Sequence, residues 1–195
     1  ISFLEPIVLV YVLSKIGLDK TTIHNQYAII SGYVISLLVT PTFFNGVIYR
    51  LILPIITNDV AYHQIKAARY HLLVALIGSV MISIPFTLIF YFFPKNCLQL
   101  LYNTTSGANY LKYMEIPFTI YYLGTPLSAL LQALNKNKAM FIISIIQSTL
   151  QIILIFILSP YLKAFSIAVS TLIGIIFSTI ASMIICYKYL FIENK

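Results

Sequence analysis

"LLVALIGSVMISIPFTLIFYFF", Leu72 to Phe93, carries no charged side chain. A bilayer core about 30 Å thick is crossed by about 20 helical residues. A barrel strand would instead alternate apolar and polar over about ten residues, and this run does not. It reads as a membrane helix from about Ala67 to Phe93 with Pro85 inside it. Outward from it lie five more apolar runs: Ile1 to about Gly17, about Gln26 to Ile56 (interrupted by Pro41), about Tyr110 to Leu134 (with Pro117 and Pro126), about Ala139 to Leu158, and about Ala164 to Phe191. The expected fold class is all-α, a polytopic membrane helical bundle of about six transmembrane helices.

Composition agrees. The chain has 195 residues, 60% hydrophobic and 9% charged, with a mean hydropathy of +0.95. A soluble domain is about 25% charged, so these few charges cannot cover a soluble surface. The net charge of +7 sits between apolar runs, where membrane orientation and anionic headgroups account for it. No nucleic-acid partner is expected. The runs place Cys97 and Cys186 at opposite faces, so no disulfide is expected. With no Trp, the 15 tyrosines must supply any interfacial aromatic belt. The chain begins with Ile inside an apolar run, without a signal-peptide pattern, and reads as a piece of a longer protein.

The breaks between runs are too short for a soluble domain, so residues 1–195 read as a single transmembrane unit. Cys97–Tyr102 reads as a short interfacial helix. Counting six spans, one face receives Arg50, Lys66, Arg69, Lys136, Lys138, Lys188 and Lys195. The other receives Lys15, Lys20, Lys95, Lys112 and Lys163. The bias favours the first face as cytoplasmic, with both ends of the chain on that side.

Polar groups inside apolar runs are expensive and mark function or special packing. Glu5 is either a cavity group for protons or cations, or a carboxyl kept neutral by packing. Arg50 either snorkels to the interface or faces a water-filled cavity and holds phosphate through its fork of donors. Asn45 and Gln132 join these two as candidate cavity-lining groups. Glu115, three residues after Lys112, reads as a local ion pair. Gln147, Ser148, Thr149 and Gln151 form a polar band that is interhelical glue or a cavity wall. Pro41, Pro117 and Pro126 are hinge candidates, since each removes a backbone hydrogen bond in a way that suits helices rocking around a cavity. No catalytic or metal site is expected, and no cofactor. His24, His63 and His71 lack zinc spacing, and neither a phosphate-binding glycine loop nor a nucleophile elbow occurs.

Four stretches, in order, resemble the multidrug/oligosaccharidyl-lipid/polysaccharide (MOP) exporter superfamily, in its polysaccharide transporter and stage V sporulation protein B-like branch. They are "NQYAIISGYVISLLVTP", with Gly32 and Pro41 at helix entry; "VIYRLILPIITNDVAYHQIKAARYH"; "IPFTLIFYFFPKNCLQLLYN"; and "YYLGTPLSALLQALNKNKAMF". The resemblance covers nearly the whole chain. It implies that the chain is the second six-helix lobe of a two-lobe flippase in a bacterial-type cytoplasmic membrane. The implied cargo is a polyprenyl-pyrophosphate-linked glycan. The implied partners are the N-terminal lobe of the same protein, membrane lipids and a coupling proton or sodium ion. Arg50 would then hold pyrophosphate and Glu5 the ion. Flippases of the peptidoglycan lipid precursor carry an arginine shortly before the corresponding proline. Here Ser36, Leu37 and Leu38 occupy that place, and Arg50 follows Pro41. The alternatives are a multidrug and toxin extruder driven by cations, which needs cavity carboxylates, and a non-transporting scaffold, which needs no hydrated cavity.

Overall fold

The computed structural model describes residues 4–15, 19–163 and 165–193. Ile1, Gly17 and Ala164, named above at segment ends, and Lys195, counted among the charges, lie outside the described residues. The elements are α1 (Leu4–Lys15), α2 (Lys20–Tyr27), a π-helical stretch (Ala28–Ile35), α3 (Ser36–Val39), α4 (Thr42–Ala61), α5 (Ile65–Phe92), α6 (Pro94–Tyr102), α7 (Ala108–Ala133), α8 (Asn137–Leu162), α9 (Phe165–Tyr187) and a second π-helical stretch (Lys188–Glu193). No strand occurs among the described residues, and the chain is an all-α membrane helical bundle.

Three described helices are long and apolar enough to cross a membrane alone: Ile65–Phe92, Asn137–Leu162 and Phe165–Leu190. The pair Thr21–Val39 and Thr42–Ala61, bent by 43°, makes a fourth if it is one span. α7 has 26 residues, but its tyrosines, two prolines, Lys112 and Glu115 dilute its apolarity. α1 is described over 12 residues.

The breaks read from composition mark where apolarity stops, not where helices stop. "TNDVAYHQIKAARYH" is mostly helical: α4 runs to Ala61 and α5 resumes at Ile65. The turn is short because its carbonyls are capped. The Gln64 N–H donates to Asp59 O at 2.7 Å and the His63 N–H to Val60 O at 3.1 Å. His63 is left-handed (φ 56°), the paired bonding of a Schellman end. The α7–α8 turn repeats it: Lys136 donates to Leu131 O and Asn135 to Gln132 O, both at 2.9 Å, with Asn135 at φ 56°. Asparagine takes that conformation readily. α6 forms the short helix expected over Cys97–Tyr102, and begins three residues earlier. Pro94 starts it, where no N–H is needed, and left-handed Asn103 stops it. It buries Leu98 and exposes Leu100 and Leu101.

α7 is the central post, packed by α4, α5 and α9. Two apolar cores stack along it. One joins Leu111, Phe118 and Tyr122 to Leu9, Val34, Phe90 and Ile167. The other joins Leu127, Leu130 and Leu131 to Ile56, Leu72 and Cys186. α7 and α8 are consecutive but hardly touch, because α8 packs on α9 and α1 instead. That splay leaves a gap beside the centre of α7.

Candidate functional site

The gap is a cleft of about 310 Å³ walled by α4, α7, α8 and α9. α7 contributes Tyr121, Gly124, Thr125 and Ser128, and α9 contributes Ser178, Thr179 and Ser182. α8 adds Ser144 and Gln147 beside Met140 and Ile143, while α4 adds Thr42 and Tyr49. Nine of these side chains carry hydroxyls and one an amide; none is charged. Small residues line the wall, so neighbouring helices cannot fill the space. Gly174 lets Gln147 lie close: a Cβ built there would sit 3.3 Å from Gln147 Cγ.

Several hydroxyls are tied to their own helix. Ser128 donates to Gly124 O at 2.8 Å, Ser144 to Met140 O at 3.0 Å and Ser178 to Ile175 O at 3.0 Å. Their lone pairs stay free to accept. Among the described residues, the Gln147 amide and the hydroxyls of Tyr121, Thr125, Thr179 and Ser182 have no hydrogen-bond partner. Groups of this kind, set between membrane helices, require water or a polar ligand.

The sequence candidates scatter around the cleft. The Tyr49 hydroxyl donates to Gln132 Oε1, so exposed Gln132 anchors a wall residue rather than forming the wall. Arg50 is exposed, on one stripe of α4 with Phe43, Val47 and Pro54. It points out of this bundle and not into the cleft. Glu5 is half-buried on α1, which packs on α8. Asn45 is fully buried, and neither its Oδ1 nor its Nδ2 has a partner. Phe44 meets Phe86 and Ile48 approaches Gly78, so Asn45 lies opposite the turns of α5 that bury Ser79 and Ser83. Ser79 Oγ is likewise without a partner.

Pro41 stands at the 43° bend between α3 and α4. The bend is braced from α7, whose buried Tyr122 hydroxyl donates to Leu38 O at 2.8 Å. The π-helical stretch precedes it by four residues, a local irregularity of the kind found at functional segments. Pro117 and Pro126 lie inside an unbroken α7. They free the carbonyls of Tyr113 and Tyr122 without a visible break.

The Lys112–Glu115 pairing is corrected. Lys112 Nζ lies over the Tyr91 ring, 5.2 Å from its centroid. Glu115 is fully buried, and neither carboxyl oxygen has a hydrogen-bond partner. Position three along a helix brings Cβ atoms together, but here α7 turns Glu115 inward and Lys112 outward. The Thr87 hydroxyl faces the carboxyl from α5, and Thr87 meets Thr119 at 3.4 Å. The polar band on α8 divides residue by residue. Gln151 is glue, donating to Thr171 Oγ1 at 2.9 Å, whereas Gln147 is wall.

Sequence reading missed most of the cleft, although a signal existed. Tyr121, Thr125 and Ser128 recur at i, i+4 and i+7, and Ser178 and Ser182 at i and i+4, which puts hydroxyls on one face of each helix.

The chain is similar to Stage V sporulation protein B of Bacillus subtilis (strain 168), 28% identical over 200 residues. The match covers 99% of this chain and 38% of that protein, so the chain spans well under half of its relative's length. No family model matches the chain, and no solved structure matches it.

Proposed function

We propose that this chain forms one membrane lobe of an exporter that flips a lipid-linked oligosaccharide or polysaccharide precursor across the cytoplasmic membrane by alternating access. The observation that carries this reading is the hydroxyl-lined, uncharged cleft between membrane helices. The similarity to Stage V sporulation protein B supports the same transport class. A cation extruder needs carboxylates where the cargo sits, and the cleft has none. A scaffold has no use for a row of unbonded polar groups facing a shared cleft.

In this reading the chain is the second lobe and works with an N-terminal lobe of the same protein, both ends facing the cytoplasm. The glycan rides on a polyprenyl pyrophosphate whose tail stays in lipid. Exposed Arg50 meets the pyrophosphate from the stripe of α4 that faces away from the cleft. A coupling proton or sodium ion uses a carboxyl: Glu5 is the half-exposed candidate, and buried Glu115 adds a second. Pro41, at the observed bend, is the hinge with the best structural support. No bond is made or broken, so the protein needs no catalytic group.

The test is deletion of the full-length gene, followed by analysis of lipid-linked sugars on the two membrane faces. The expected result is build-up of a polyprenyl-linked glycan on the cytoplasmic face. An unchanged pool in a host without a redundant transporter refutes the reading. Normal export by the Arg50→Ala variant would leave Arg50 as a snorkelling interfacial residue.

A further inference from the structure

We propose that the cleft between α4, α7, α8 and α9 binds the uncharged sugar of the cargo, about one hexose-sized unit, and takes no part in holding its phosphate. This rests on the flippase reading above and says which chemical part of the cargo this site selects.

Charge decides the ligand class first. A phosphate or pyrophosphate site collects Arg, Lys or a helix N-terminus. A cation site collects carboxylates or converging carbonyls. The cleft wall holds neither a cationic nor an anionic side chain, so a charged ligand would lose its hydration there without replacement. An apolar ligand fares no better, since it would strand the unbonded groups of Gln147, Thr125, Thr179 and Ser182. A ligand that both donates and accepts, and is neutral, satisfies them. Sugar hydroxyls do both.

The hydrogen-bonding pattern is the second argument. The back-bonded hydroxyls of Ser128, Ser144 and Ser178 have committed their protons to helix carbonyls, so toward the cleft they accept. Gln147 can both donate and accept. The wall therefore mixes acceptors with donors, as a ring bearing several hydroxyls requires. Tyr121 adds an aromatic ring, being the more exposed of the two wall tyrosines. The space of about 310 Å³ has room for a hexose-sized unit.

Gln147 is the group whose placement the fold controls. It lies against Gly174 of α9, and a methyl there would press on its Cγ at 3.3 Å. Gly174 is thus a positioning residue for the amide.

The test uses the full-length protein and three probes: a polyprenyl pyrophosphate bearing a neutral N-acetylhexosamine unit, the same lipid bearing a hexuronate, and the bare lipid pyrophosphate. The wild type should bind the neutral probe at least tenfold tighter than the bare one, because a site built for hydroxyls rejects a ligand lacking them. The hexuronate probe should gain less. Gln147→Leu combined with Thr125→Val should remove the tenfold preference and leave affinity for the bare lipid unchanged. Gly174→Ala should reduce the preference with Gln147 intact, and unchanged affinity for the bare lipid in both variants shows that they are folded. Equal binding of neutral and bare probes by the wild type, or a preference that survives the double variant, overturns the inference and leaves the flippase reading standing. Failure of the wild type to bind any of the three lipids overturns both.

Discussion

Gly107→Ala should be the most damaging glycine-to-alanine change among the described residues. Gly107 has φ +96° at the start of α7, and a Cβ there would sit 2.9 Å from the Cγ2 methyls of both Ile29 and Val34. Two costs arise separately. The left-handed backbone costs an L-residue about 1–2 kcal/mol. Overpacking adds about 1–3 kcal/mol. The methyls cannot swing aside cheaply, because each is attached to a β-branched carbon that is stiff at χ1. The total is about 2–5 kcal/mol. At about 2–4 °C per kcal/mol for a chain of this size, the melting temperature of the intact protein in detergent should fall by about 4–20 °C. Gly46→Ala is the control: it lies within α4 with nothing inside 4 Å of its Cβ. That change should be neutral or stabilising by up to about 1 kcal/mol, because alanine is the better helix former. Adding Val34→Ala to Gly107→Ala should recover part of the steric share and none of the backbone share, a coupling that a double-mutant cycle reads directly. A Gly107→Ala protein melting within 2 °C (roughly the 0.5 kcal/mol of an ordinary surface change) would refute the reasoning.

Three further predictions concern the bend, the buried carboxyl and the thiols. Tyr122→Phe removes the hydroxyl that braces Leu38 O. It should cost about 0.5–1.5 kcal/mol in thermal unfolding, and an unchanged melting temperature would mean that the bend does not depend on α7. Glu115→Leu replaces a fully buried carboxyl that faces the Thr87 hydroxyl and has no cationic partner among the described residues. It should raise stability by about 1–3 kcal/mol while lowering export if that carboxyl couples the ion; a loss of stability would show that Glu115 has a partner in the assembled protein. A membrane-impermeant maleimide added outside intact cells should label Cys97, which is partly exposed within α6, and spare Cys186, which is 2% exposed. Burial pushes the Cys97 thiol up from its ordinary range, so labelling should speed up as pH rises; labelling only after the membrane is opened would reverse the proposed orientation.

The sequence by itself determined the fold class. Long apolar runs without alternation can satisfy their backbone in lipid only as helices, and composition excluded a soluble surface. It also marked Pro41 as a break, since proline removes both a donor and the room for the preceding turn, and the chain bends there by 43°. Periodicity placed Glu115 close to Lys112 along one helix, but not its rotation about the helix axis. Only the packing of α4 and α5 on α7 decided that this carboxyl faces inward. Arg50 stood out in the sequence because a charge in an apolar run is rare, yet the structure puts it on an outward stripe. The cleft is a property of four helices that are distant in sequence, walled by serines, threonines and a glutamine, each unremarkable alone. Whether such a hydroxyl bonds to its own helix or faces a shared space depends on which helices meet, and here that depends on α8 leaving α7 to pack on α9 and α1.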